Sequence, residues 1–167
     1  YESTNPSLNF VNENGFANIN VQTGTNVDLS FEFVDSFDEP TEPLELECVM
    51  LSFYDFDTGK SSIESVSVKD YQTYTVSTAS ELRIGTDDQG RKTFSGTTRG
   101  FGSDNPTHPQ QLTDQQRARS VGLRFESVSN ITLTLDISIV DGSTGTPPPT
   151  RESVTVGRLH PLISFSP

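Results

Sequence analysis

Two aspartates one residue apart, Asp55 and Asp57, close the densest apolar run of the chain, Leu44 to Lys60 (LELECVMLSFYDFDTGK). In an extended chain residues i and i+2 share a side, so both carboxylates face one way, and hard cations take several such oxygens. Ser103-Asp104-Asn105 in a later loop, with Asp114 beyond it, would supply the rest. Asp55, Asp57, Asp104, Asn105 and Asp114 therefore form a candidate Ca²⁺ set. It is not an EF-hand, whose ligands keep fixed offsets and end on a glutamate. Two metal-free arrangements use the same residues. In one, Asp55 and Asp57 cap a strand end while Asp104-Asn105-Pro106 makes an Asx turn. In the other, Arg99, Arg117 and Arg119 pair with the aspartates and order the loop.

Other chemistry is sparse. His108 and His160 each precede a proline, which biases them to extended backbone and removes the helical pairings that bind zinc. No nucleophile elbow, Walker phosphate loop or dinucleotide fingerprint occurs. Glycosidase carboxylates are paired in space, so sequence leaves them open. Cys48 is the only cysteine, which excludes an intramolecular disulfide; in a strand centre it is expected as a small buried apolar residue. Tyr54 and Phe101, with Tyr71 and Tyr74, are the aromatic platforms a glycan would need, and Asn130-Ile131-Thr132 is a glycosylation sequon.

The elements that must position these groups are strands. Val49, Leu51 and Phe53 alternate with Cys48, Met50 and Ser52 in a run apolar enough to be covered on both faces, a central strand. Ile19 and Val21, then Val27, Leu29, Phe31 and Phe33, flank the Thr23-Gly24 turn and predict an antiparallel hairpin. Ile63, Val66 and Val68, then Tyr71, Tyr74 and Val76, predict one or two strands broken near Lys69-Asp70. Leu82 and Ile84 enter a second hairpin that turns at Asp87-Asp88-Gln89-Gly90 and returns with Phe94 inward. Ile131, Leu133, Leu135, Ile137 and Ile139 alternate through a late strand. Between Arg99 and Gln116 alternation stops. Thr113, with Gln116 three residues on, predicts a capping box and one short helix near 112–119. The whole reads as an all-β, two-sheet antiparallel β-sandwich, jelly-roll or Ig-like, over residues 17–167, after a lead-in at 1–16 that adds an edge strand around Leu8 to Val11.

A chain of 167 residues with a formal charge of −12 does not suit a phosphate backbone, so nucleic acid is not an expected partner. No apolar run is long enough to cross a bilayer, so direct insertion is not expected either. Such acidity suits divalent cations, or simply a solvated surface.

SFYDFDTGK at 52–60, YTVSTASELRIGTDDQGRKTFSGT at 74–97 and GFGSDNPTHPQQLTDQQRARSV at 100–121 together resemble an all-β module of dinoflagellates and other chlorophyll-c algae. The middle segment is also similar to bacterial surface repeats that join a Y-x-V strand to a Gly-turned hairpin. The likeness spans about residues 16–140. It implies a β-sandwich with a structural or surface role and carries over no catalytic residues. The expectation is a non-enzymatic, self-assembling module of an algal surface or organelle coat, extracellular or at the cell surface, alternatively in a plastid. Its partners are other copies or a neighbouring structural protein. The C-terminal HPLISFSP, after Pro147-Pro148-Pro149, is the candidate for strand addition between copies, or else pairs within its own sheet. The alternative is a Ca²⁺-dependent glycan-binding module.

Overall fold

The computed structural model describes residues 10–11, 16–36, 42–101, 103–140, 151–156 and 160–161. Its strands are β1 (Phe10–Val11), β2 (Ala17–Gln22), β3 (Thr25–Glu32), β4 (Leu46–Tyr54), β5 (Ser62–Val68), β6 (Thr73–Val76), β7 (Leu82–Thr86), β8 (Lys92–Gly96), β9 (Val121–Val128), β10 (Asn130–Ile139), β11 (Arg151–Val156) and β12 (His160–Pro161). One helix, α1 (Asp114–Ala118), precedes β9. The strands form two antiparallel sheets. One runs β1-β2-β11-β4-β9-β6, with β12 also beside β4; the other runs β3-β10-β5-β8-β7.

The alternation in sequence decides which side chains meet between the layers. Val49, Leu51 and Phe53 of β4, with Val121, Leu123 and Phe125 of β9, face Val66 and Val68 of β5, Phe94 of β8 and Ile131, Leu133, Leu135 and Ile137 of β10. Each such side chain contributes about 1.5–3 kcal/mol on burial. Ile139, fifth in the predicted series, lies 45% exposed where β10 has run past β3 and pairs only with Ser62 of β5. Cys48 is half-buried rather than buried. It lies on the outer face of β4, opposite the parity of Val49 and Leu51, and receives the Arg124 Nε hydrogen bond at 3.4 Å.

Local signals held where the partner was local. β7 and β8 pair across the Asp87–Gly90 turn, with Leu82 opposite Gly96 and Ile84 opposite Phe94. The Asp87 carboxylate ties that turn, accepting from the Gln89 and Arg91 backbone amides. Thr113 caps α1 with the predicted box: its hydroxyl accepts from Gln116 N, and Gln116 Oε1 accepts from Thr113 N.

The first predicted hairpin is corrected. β2 and β3 both form around Thr23-Gly24, but β2 joins the seven-stranded sheet and β3 the five-stranded one. At Gly24, with φ +80, the chain steps between layers, and its amide donates to Ile137 O of β10. Alternation states which face is buried; it does not state the neighbour. Another step between layers follows β5, where Asp70 takes φ 60.

Candidate functional site

β4 delivers the chain to the sandwich rim at Asp55, whose φ of 69 turns it out of the strand. The next residues are laced to three other elements. Phe56 N donates to Arg119 O just after α1, Thr58 N to Thr98 O just after β8, and Gly100 N back to Thr58 O; Glu64 N of β5 donates to Asp57 O. Phe56 itself is fully buried and pins the bend. Gly100 is required by close approach: a β-carbon there would sit 1.3 Å from Asp57 Oδ2.

Through this lacing Asp55, Asp57 and Asp104 converge, each offering a carboxylate oxygen within 4.8 Å of the others. Arg119, 3% exposed, is the cation among them. Its Nη1 donates to Asp104 Oδ2 at 2.9 Å and lies 4.0 Å from Asp57 Oδ2. Its Nε donates to Glu81 Oε2 at 2.8 Å, and its Nη2 to Arg99 O at 3.3 Å. The Asp104 turn is fastened separately, since Oδ1 accepts from Phe101 N and the Asp104 carbonyl from Gln116 Nε2.

The electrostatics follow from burial. Desolvation, then the nearby Asp104 charge, pushes the Asp55 carboxyl up to about 6, with Arg119 only partly opposing. The hydrogen bond from Arg119 holds Glu81 below the ordinary glutamate value. Burial acts to lower the Arg119 pKa, but its bond to Glu81 and the charges of Glu81, Asp104 and Asp57 outweigh it and raise the pKa. Four carboxylates thus surround one guanidinium.

Of the predicted set, Asp55, Asp57 and Asp104 come together, and Asn105 follows in the same turn, half-buried. Asp114 does not join them. It opens α1 with its side chain fully in solvent, 4.0 Å from Arg117. Among the arginines, Arg119 makes the ion pairs. Arg99 contributes its carbonyl and lays its guanidinium 5.5 Å over the Phe101 ring, while Arg117 Nη2 donates to Leu112 O. Glu81 has no signal in the sequence, because a separation of 38 positions hides its pair with Arg119 from any local pattern. Glu64, 3% exposed on β5, was also missed; it occupies an inward position in line with Val66 and Val68.

The aromatic candidates separate. Phe101 is 63% exposed, whereas Tyr54 packs edge-on against Phe16 at 5.3 Å. Tyr71 meets Tyr74, and Tyr74 meets Phe94 at 5.1 Å, closing the edge of the sandwich. Tyr54 also lines a groove of about 400 Å³ with Met50, Ser52, Thr75, Leu112 and Arg117. Asn130 stands exposed at the start of β10. His108 Nδ1 accepts from Gln110 N.

A second candidate lies along β4. β11 pairs with β2 over six residues, from Arg151 opposite Gln22 to Val156 opposite Ala17. Its last two pair with Tyr54 and Phe53 of β4, and β12 then sets His160 and Pro161 opposite Met50 and Val49. Both contacts of β11 are antiparallel, so β2 and β4 run parallel, two strand spacings or about 9.6 Å apart, with β11 in the slot. The remainder of HPLISFSP, 162–167, lies outside the described residues. Comparison of the chain with known protein families, with curated proteins and with solved structures finds no match.

Proposed function

We propose that this chain is a non-enzymatic, self-assembling β-sandwich module whose strand β11 is exchanged between copies. The supporting observation is the seat of β11, the strand that joins β2 to β4 among the described residues. Its contacts are backbone ladders, and a ladder of the same register forms whether the strand comes from its own chain or from a neighbour. Ten residues, 141–150, separate Val140 from Arg151, a covalent reach of at most about 35 Å. That reach serves a neighbour's slot as well as the chain's own. Strand exchange buries the slot in every copy and needs no new surface, which suits a structural role. On the resemblance of residues 16–140, the assembly belongs to an algal surface or organelle coat.

Light scattering of the full chain over a concentration series tests this. The expected result is a ladder of masses at multiples of 18.3 kDa. Val154→Pro, which sets a proline inside β11 opposite Ile19, should return the assemblies toward single chains. A wild-type chain that stays at 18.3 kDa at every concentration overturns the proposal.

A further inference from the structure

We propose that the groove on the outer face of β4, β9 and β6 is the seat of segment 162–167, Leu162-Ile163-Ser164-Phe165-Ser166-Pro167. The groove is built by register. Met50, Ser52 and Tyr54 alternate with the buried Val49, Leu51 and Phe53, so they face away from the core. Gly122 of β9 stands between Ser52 of β4 and Thr75 of β6, a row of small residues across three strands. That row is the floor. Met50 and Tyr54 flank it along β4, and Leu112 and Arg117 line it from the segment before β9, fastened together because Arg117 Nη2 donates to Leu112 O at 2.7 Å.

β12 brings the chain to this place. It sets His160 opposite Met50 and Pro161 opposite Val49, so residue 162 starts beside one flank of the groove. β12 and β9 lie on either side of β4, two strand spacings or about 9.6 Å apart. Six residues span up to about 20 Å, which reaches the floor even after a turn onto the outer face. The sequence suits that surface. Ile163-Ser164-Phe165-Ser166 alternates apolar and polar, so an extended chain lays Ile163 and Phe165 down together and leaves the serines in water. So short a tether gives the segment an effective concentration in the millimolar range, an advantage that no free ligand shares. The seat is the same whether β11 comes from its own chain or from a neighbour, because residues 162–167 travel with it, and strand exchange is not required.

Met50 is the only methionine of the chain, so ¹³C-methyl labelling of the full chain places a single signal in the groove. That methyl should show nuclear Overhauser contacts to ring protons that disappear in Phe165→Ala. It should also become several-fold more accessible to a soluble paramagnetic agent in that variant. Gly122→Leu blocks the seat by filling it. A β-carbon there meets Ser52 Oγ at 3.6 Å and Met50 Cε at 3.9 Å, both ordinary contacts, and the rest of the leucine occupies the space above the floor. The contacts to Phe165 should vanish in that variant too. Phe165→Ala leaves every residue of β1 to β12 unchanged, so it reads the seat even if Gly122→Leu fails to fold. A wild-type methyl open to the agent overturns the proposal, because the groove is then empty. Ring contacts that all survive Phe165→Ala overturn it as well, because the groove then holds another occupant, such as the face of a second copy. Light scattering in parallel keeps the two proposals apart. An empty groove in a chain that still forms the ladder of masses sinks the seat alone, and a filled groove in a chain that stays at 18.3 kDa sinks exchange alone.

Discussion

Arg119 is the buried cation among the described residues, and its environment sets what substitution there should do. Removing one partner of a buried pair leaves charge without compensation, so Arg119→Ala should lose roughly 3–5 kcal/mol in urea denaturation. Arg119→Lys should recover only part, because a point charge does not reproduce a fork that reaches Glu81, Asp104 and the Arg99 carbonyl together. A loss below about 1 kcal/mol for the alanine variant would mean that the acids are solvated rather than paired. Asp55 behaves in the opposite sense. Its carboxyl is raised from 3.8 to about 6, so the folded state holds the proton more tightly than the unfolded one. Stability from Asp55 is therefore full below pH 3.8, is lost as pH rises toward 6, and stays lost above. Asp57, Asp104 and Arg119 face it throughout this window. Asp55→Asn removes the titration and keeps a residue that tolerates φ 69. It should match wild type near pH 4 and exceed it at pH 7.5 by about 3 kcal/mol, read from paired denaturation curves. An unchanged gap across that range would count against a desolvated Asp55. The sequence pointed to both residues, Asp55 by its spacing from Asp57 and Arg119 by its closeness to the loop. Extended spacing alone does not bring the carboxylates together, because Asp55 is left-handed and the convergence comes from lacing to Thr98, Gly100 and Arg119.

At the scale of elements, what was legible depended on how far away the partner lay. α1 could be read because its cap and its N3 residue are three positions apart and satisfy each other. The cap also matters beyond the helix: Arg119, just past α1, carries the guanidinium, and Gln116 holds the Asp104 carbonyl. Thr113→Ala should lose about 1 kcal/mol of stability and loosen the Asp104 turn. Chemical shifts of Phe101 N–H, which donates to Asp104 Oδ1, report that turn directly. Unmoved shifts would show the loop to be fastened without α1. The β7–β8 hairpin was legible for the same reason, its turn residues being contiguous. β2 and β3 were not. Both have the right faces and a two-residue turn, but their partners are β11 and β10, about a hundred residues away or more. Nothing local distinguishes a hairpin from a step between layers.

For the whole molecule, the alternating pattern carries the fold class, since burying one face of so many strands leaves two stacked sheets as the economical solution. The same pattern says nothing of strand order. β10, flanked by β3 and β5, and β9, flanked by β4 and β6, are locked on both sides by strands from the body of the chain. β2 is different: beyond the two residues of β1, its ladder depends on β11. Hydrogen exchange should therefore divide the protein into cooperative units rather than a single block. Amides of β9 and β10 should exchange only with global unfolding, while those of β2 that bond to β11 exchange earlier, together with β11 and with one opening energy. In Val154→Pro the β2 amides should lose protection and the β10 amides keep it. If β2 is as protected as β10 in wild type, β11 is an integral strand rather than an exchangeable one, and its departure would then require unfolding the sandwich itself.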